Sequence, residues 1–277
     1  MRATIKCEKG VKVMATSKKV EESGMIVLDK IKMEKVKVRI KGLTDVITHA
    51  WNYKAKWEML IKQMYGSGNK LLGKKLSRCP ILDFAEGLYW ISNRPEILNY
   101  KLPTDLNGNT SGYENLVKTL REDESLILDE VEKGIFGFPA GGLKAAMVGA
   151  CRLKDNLQMV TTKMLFHVDG YSSVDDMENY EYIIFENEDG TPCKPFPRED
   201  MVTIGKNLPD IRYRPAFTNW YANVIISYNA EKFDRTTATN LLDAAGNGGI
   251  GEFRPSAKKT CSGNYGRFEV IGEPRKA

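Results

Sequence analysis

The glycines at 246, 248, 249 and 251 lie in a run, GNGGIGEFRPSAKKTCSGNYGRFEV, that also carries Arg254, Lys258, Lys259 and Arg267. Glycine removes the side-chain barrier to close backbone approach, and exposed N–H groups in such turns bind phosphate oxygens. Gly248, Gly249 and Gly251 with those four cations are therefore expected to follow a phosphate backbone. A flexible hairpin with a solvated basic face has the same composition. The GIG triplet is no dinucleotide fingerprint, because it follows a predicted helix rather than a strand-to-helix turn.

Two further segments offer related chemistry. In IRYRPAFTNWY, residues 211–221, Arg212 and Arg214 share one side of a predicted strand, with Tyr213, Phe217, Trp220 and Tyr221 interleaved. Rings stack on bases and arginines pair with phosphates, a combination found on single-strand-binding surfaces. Core packing is expected to claim at least half of these rings. In GGLKAAMVGACR, Lys144 and Arg152 flank a predicted helix that starts at a glycine pair. A phosphate at its N-terminus would meet free N–H groups, the positive dipole end and a lysine, although a solvated first-turn lysine reads the same.

Catalysis finds little support. The GxSxG, HExxH, GxxxxGK[ST] and CxxC patterns are absent, and with them the common hydrolase, protease and nucleotide-triphosphatase signatures. Two histidines, His49 and His167, cannot build a His-rich metal centre. Both read as structural, with a general-base role for His49 the lesser alternative. The cysteines Cys7, Cys79, Cys151, Cys193 and Cys261 are odd in number and scattered, so neither a disulfide framework nor a zinc site is expected and a reducing cytoplasm is. No cofactor, metal or enzymatic activity is expected. Asp45, Asp83 and Asp243 are the carboxylates a metal-dependent nuclease would draw on, and they form no recognisable constellation.

Several elements must position these residues. KIKMEKVKVRI alternates apolar and charged residues and predicts a strand with Met33, Val36, Val38 and Ile40 on one side, broken by Gly42. Residues 54–66 place Trp57, Leu60, Ile61 and Met64 at helical spacing before Gly66. Residues 100–134 read as variable decoration. Pro139, Gly141 and Gly142 predict a loop launching a helix whose Ala145, Ala146, Gly149 and Ala150 would let it lie close to a sheet. Residues 160–170 and 211–229 read as strands, the second with an edge, bulge or bend at Pro215. Asp234 is the expected N-cap of a helix through Leu241, Leu242 and Ala245 that stops at Gly246, and Tyr265–Ile271 is the last strand.

With 277 residues, 42% hydrophobic, the chain can bury one elaborated domain or a core with an insertion. Its 41 basic and 36 acidic residues leave +5, too small a surplus to establish a nucleic-acid partner by itself. Residues 1–24, rich in Lys and Glu, predict a flexible or edge-pairing arm, and 25–277 a single domain with an acidic insertion at about 171–205. No apolar run reaches the roughly 18 to 20 residues that span a bilayer, and no secretory h-region is expected.

FPAGGLKAAMVGACR and GGIGEFRPSAKKTCSGNYGRFEV resemble two signatures of the RAMP superfamily, seen in the backbone subunits of CRISPR effector complexes. One is a turn and helix of the form PGSSLKGxLR, here Pro139 to Arg152 with AGGLKAAMVGA in place of the full SSLKG form. The other is a glycine-rich loop between the last helix and last strand, here Gly246 to Gly266. KVKVRIKGLTDVITHAW resembles a first RAMP strand and its turn, and the set G-L-T-x-x-I-x-H, R-x-R-P-x-F-x-x-W and GIGEFRP…YGRFEV is similar to a group of phage-encoded proteins. The resemblance implies an α+β fold with a ferredoxin-like (RRM-like) RAMP core, a thumb-like insertion and subunits stacked as a homo-oligomer or filament.

It also implies cooperative, salt-sensitive coating of single-stranded DNA or RNA in the host cytoplasm, during phage replication, recombination or counter-defence. Phosphates would be held by Lys144, Arg152, Arg212, Arg214, Arg254, Lys258, Lys259 and Arg267, and bases stacked on Trp220, Tyr221 or Tyr265. The alternatives are a guide-RNA-binding CRISPR backbone subunit and a protein-interaction inhibitor of a host complex.

Overall fold

In the computed structural model, which describes residues 29–73, 75–155, 157–173, 181–204, 208–258 and 262–277, the alternation of KVKVRI becomes β1 (Met33–Gly42). Val36, Val38 and Ile40 point into the core, while Lys35, Lys37 and Lys41 are exposed on the opposite face. Met33 shares the parity of the lysines and is exposed, not core-facing as expected. The predicted arm at 1–24 lies outside the described residues. Residues 33–277 form one compact unit.

After β2 (Val46–Ile47) the chain enters a helical stretch: α1 (Tyr53–Tyr65), α2 (Lys70–Gly73), α3 (Pro80–Glu86), α4 (Ser111–Glu122) and α5 (Ser125–Lys133). The Asn52 side chain caps α1 by accepting from the Ala55 N–H, and Gly66 ends it at φ +80°. Trp57 and Ile61 are buried, whereas Leu60 and Met64 of the same predicted stripe face solvent. The stretch read as decoration holds α4 and α5, which bury Tyr113, Val117, Leu120, Ile127 and Val131 in the core. Its acidic residues had masked two amphipathic faces.

β3 (Gly137–Pro139) runs straight into α6 (Ala140–Ala150), so Gly141 and Gly142 form the helix's first turn rather than a loop. α7 (Met159–Thr162) replaces the front half of the strand expected over 160–170, and β4 (Phe166–Asp169) is its remainder. β5 (Tyr171–Ser172), β6 (Glu181–Ile184), β7 (Phe196–Ile204), β8 (Leu208–Phe217) and β9 (Tyr221–Asn229) follow. The long run 211–229 is thus two strands, turned at Thr218–Asn219, where Asn219 takes φ +50°, a region asparagine tolerates. α8 (Arg235–Gly248) is capped by Asp234 as expected, runs two residues past Gly246, and leads through the glycine-rich loop to β10 (Phe268–Lys276).

The fold is mixed α/β with antiparallel sheets. The main sheet has the order β10-β1-β9-β4, and two three-stranded sheets run β2-β8-β7 and β3-β6-β5. α6 and α8 pack on one another, α6 also against β4 and α8 against β10. β7 and β8 form a long hairpin from Phe196↔Ala216 to Ile204↔Leu208. Arg78 ties that hairpin to α3, donating to Asp83 at 2.7 Å and to Asp210 at 3.1 Å. Among the described residues no helix is long and apolar enough to cross a membrane.

Candidate functional site

α6 is amphipathic in volume rather than polarity. Leu143, Met147 and Ala150 are buried, Ala146 and Gly149 are half-buried and Ala145 is exposed. Of the small residues expected to let the helix lie close to a sheet, Ala150 is in the core and Ala146 packs against it; together with Ala145 and Gly149 they also form the floor of a cleft. A Cβ added at Gly149 would meet nothing within 4 Å, so the protein's own packing does not require glycine there.

The opposite wall is the glycine-rich loop. Gly249 caps α8 at φ +68°, its N–H bonding to the Ala245 carbonyl at 3.0 Å. Gly251 has φ +75°, and a Cβ there would collide with the Ile47 carbonyl. These two glycines answer to backbone conformation and to the chain's own close approach. Gly248, with Ser256 beside it, lies on the cleft surface. Phe253 sits in the left-handed region at φ +51°, unusual for a bulky side chain and a local store of strain.

Between these walls lies a cavity of about 720 Å³. Arg152, just beyond α6, and Arg254 on the loop both line it. Arg254 also braces the loop, donating to the Gly251 carbonyl at 2.7 Å. Tyr89, Phe138, Leu153 and Met159 add apolar groups to its lining, and His49, Asn247, Glu252 and Ser256 polar ones. His49 Nδ1 lies 3.8 Å from Glu252. The carboxyl of Glu252 is held below its ordinary pKa, first by His49 and then by Arg214, against a burial cost that pushes the other way.

The remaining expected contacts scatter. Lys144 turns away from the cleft toward β4, 3.3 Å from His167 Nδ1 and 5.8 Å from the centre of the Phe166 ring. This removes it from any phosphate in the cleft and leaves His167 exposed, not packed in an apolar strand. Arg214 is 8% exposed between Asp200, at 3.6 Å, and Glu252, at 3.7 Å, a buried ion cluster rather than a phosphate clamp. Arg198 completes it, 2.6 Å from Asp200. Arg212 pairs with Asp210 at 2.7 Å. Trp220 is fully buried and donates to the Thr44 carbonyl at 3.0 Å, so no base can stack on it. Tyr221 is buried beneath Arg39 and Lys41. Tyr265 is half-buried with the Arg198 guanidinium 4.4 Å from its ring centre. Arg267 is half-buried beside Thr44, which its N–H reaches at 3.0 Å; Lys258 is exposed, and Lys259 lies outside the described residues.

The structure thus brings Arg152, Gly248, Gly249, Gly251 and Arg254 together and disperses the rest. It adds Tyr89, Phe138 and Leu153, which carried no local signal, and His49, whose position two residues after β2 was visible. Among the described residues no group of three or more His, Cys, Asp or Glu side chains is placed to hold a metal ion. The Asp45 backbone carbonyl accepts from the Gly266 N–H, the Asp83 carboxylate from Arg78 and the Asp243 carboxylate from the Val270 N–H. No protein-family model matches the sequence, and no curated protein matches it.

Proposed function

We propose that the chain binds single-stranded DNA or RNA in the cleft between α6 and the glycine-rich loop, on a ferredoxin-like core of RAMP type. One observation carries the reading: segments about 100 residues apart in sequence, 140–152 and 248–256, converge on one open cleft that pairs two arginines with side-chain-free backbone. The strand order supports the core, because β1, β4, β9 and β10 taken as first to fourth give the order 4-1-3-2 with α6 and α8 as the two crossover helices. In this reading the inserted thumb is the hairpin of β7 and β8, which begins and ends later in the chain than the 171–205 expected from the sequence.

Binding is to be measured with labelled single-stranded DNA, single-stranded RNA and duplex at two salt concentrations. A preference for single strands with steep salt dependence is expected, with complexes that grow with strand length if copies stack. Failure to bind any of the three overturns the reading and favours a protein partner for the cleft.

A further inference from the structure

The lining of the cleft includes groups that a phosphate backbone alone does not explain. Arg152 and Arg254 suit an anion. A phosphate has no use for the apolar lining, in which Leu153 stands 62% exposed and Phe138 meets Tyr89 edge to face with ring centres 6.1 Å apart. The cavity of about 720 Å³ also lies in the size range of pockets that enclose a planar ligand, roughly 300–1,000 Å³.

We infer that the cleft takes the nucleobase as well as the phosphate: a strand binds there with a base turned inward against Phe138 and Leu153 and its phosphate toward Arg152 and Arg254. Three observations suit a base and its phosphate in this cleft. Ala145, Ala146 and Gly149 leave the floor open, so a flat group can lie across α6 without displacing a side chain. Asn247 and Ser256 supply both donors and acceptors for a base edge. The phosphate is attracted by two cations, one on each wall. A base held this way cannot pair with a complementary strand. The inference rests on the single-strand reading and sharpens it, since a guide-presenting protein must leave its bases outward.

The test compares a 12-nucleotide single strand with an abasic strand of equal length, which carries the same phosphates and no bases. Binding to the abasic strand is expected to be tenfold weaker or more, in line with about 1–3 kcal/mol for stacking one base, with an unchanged salt slope. Gly149→Leu fills the cleft from an open helix position, and it is expected to lower the affinity of the normal strand to that of the abasic one. Leu153→Ser, at an exposed site, is expected to do so in part. Equal affinity for both strands overturns the inward base and leaves backbone binding standing. No binding of either overturns both. A free nucleoside monophosphate bound as tightly as the 12-mer makes the cleft a small-molecule site and also overturns the inference.

Discussion

Segments 246–256 and 211–221 look alike in sequence, each mixing arginine with aromatic residues, yet they end in opposite environments. Arg254 lines an open cleft, while Arg214 is buried and flanked by Asp200 and Glu252. The difference is made by carboxylates from elsewhere in the chain. The hairpin register sets Asp200 opposite Arg212 and next to Arg214, and the loop carries Glu252 back against the same strand. Whether a cation is available to a ligand depends on which acids the fold delivers to it.

The sharpest way to break this contrast is to remove each arginine in turn. Arg214→Ala leaves Asp200 and Glu252 without their shared cation and is expected to cost about 3–5 kcal/mol in denaturant unfolding. Arg152→Ala, at an exposed position, is expected to stay within about 0.5 kcal/mol. Equal losses would abolish the distinction. Next come the glycines. Gly251→Ala forces a side chain into the left-handed region against the Ile47 carbonyl and should destabilise by about 1–3 kcal/mol. Gly149→Ala, in a helix facing open space, should stabilise by about 0.5–1 kcal/mol. Thermal melts of the two variants read the opposite signs.

Binding sharpens the comparison from the other side. Arg152→Ala combined with Arg254→Ala is expected to weaken single-strand binding about tenfold, or ~1.4 kcal/mol, and to flatten its salt slope. Arg212→Ala, whose guanidinium already pairs with Asp210, is expected to leave both unchanged. The smallest effect concerns acid. Glu252 has a folded pKa below its unfolded value, so its contribution is present above about pH 4.5 and is lost as pH falls through the folded value. His49→Ala removes the largest cause of that shift. Acid unfolding should then have a shallower dependence on pH below about 4.5.

What the sequence made legible follows from how local each signal is. The Asp234 cap, the alternation of β1 and the helix beginning beside Pro139 are written in neighbouring residues and were readable. α4 and α5 were not, because Glu and Asp between their apolar positions hid the periodicity. The cleft was half legible. Its glycines and arginines stood out as motifs, whereas Tyr89, Phe138 and Leu153 enter it only through tertiary packing. Trp220 misled for a related reason: an aromatic beside arginines looks the same whether it stacks on a base or fills the space that Gly42 leaves open beneath it.

The β7–β8 hairpin is clamped like a beam at two points of unequal stiffness. Near its root Arg214 and Asp200 are 8% and 6% exposed, shielded from dissolved ions, while farther out Arg78 and Asp210 are 37% and 27% exposed. Added electrolyte therefore loosens the outer clamp first. The root contact persists while the outer one weakens, which makes ionic strength a dial on how firmly the hairpin is held to α3.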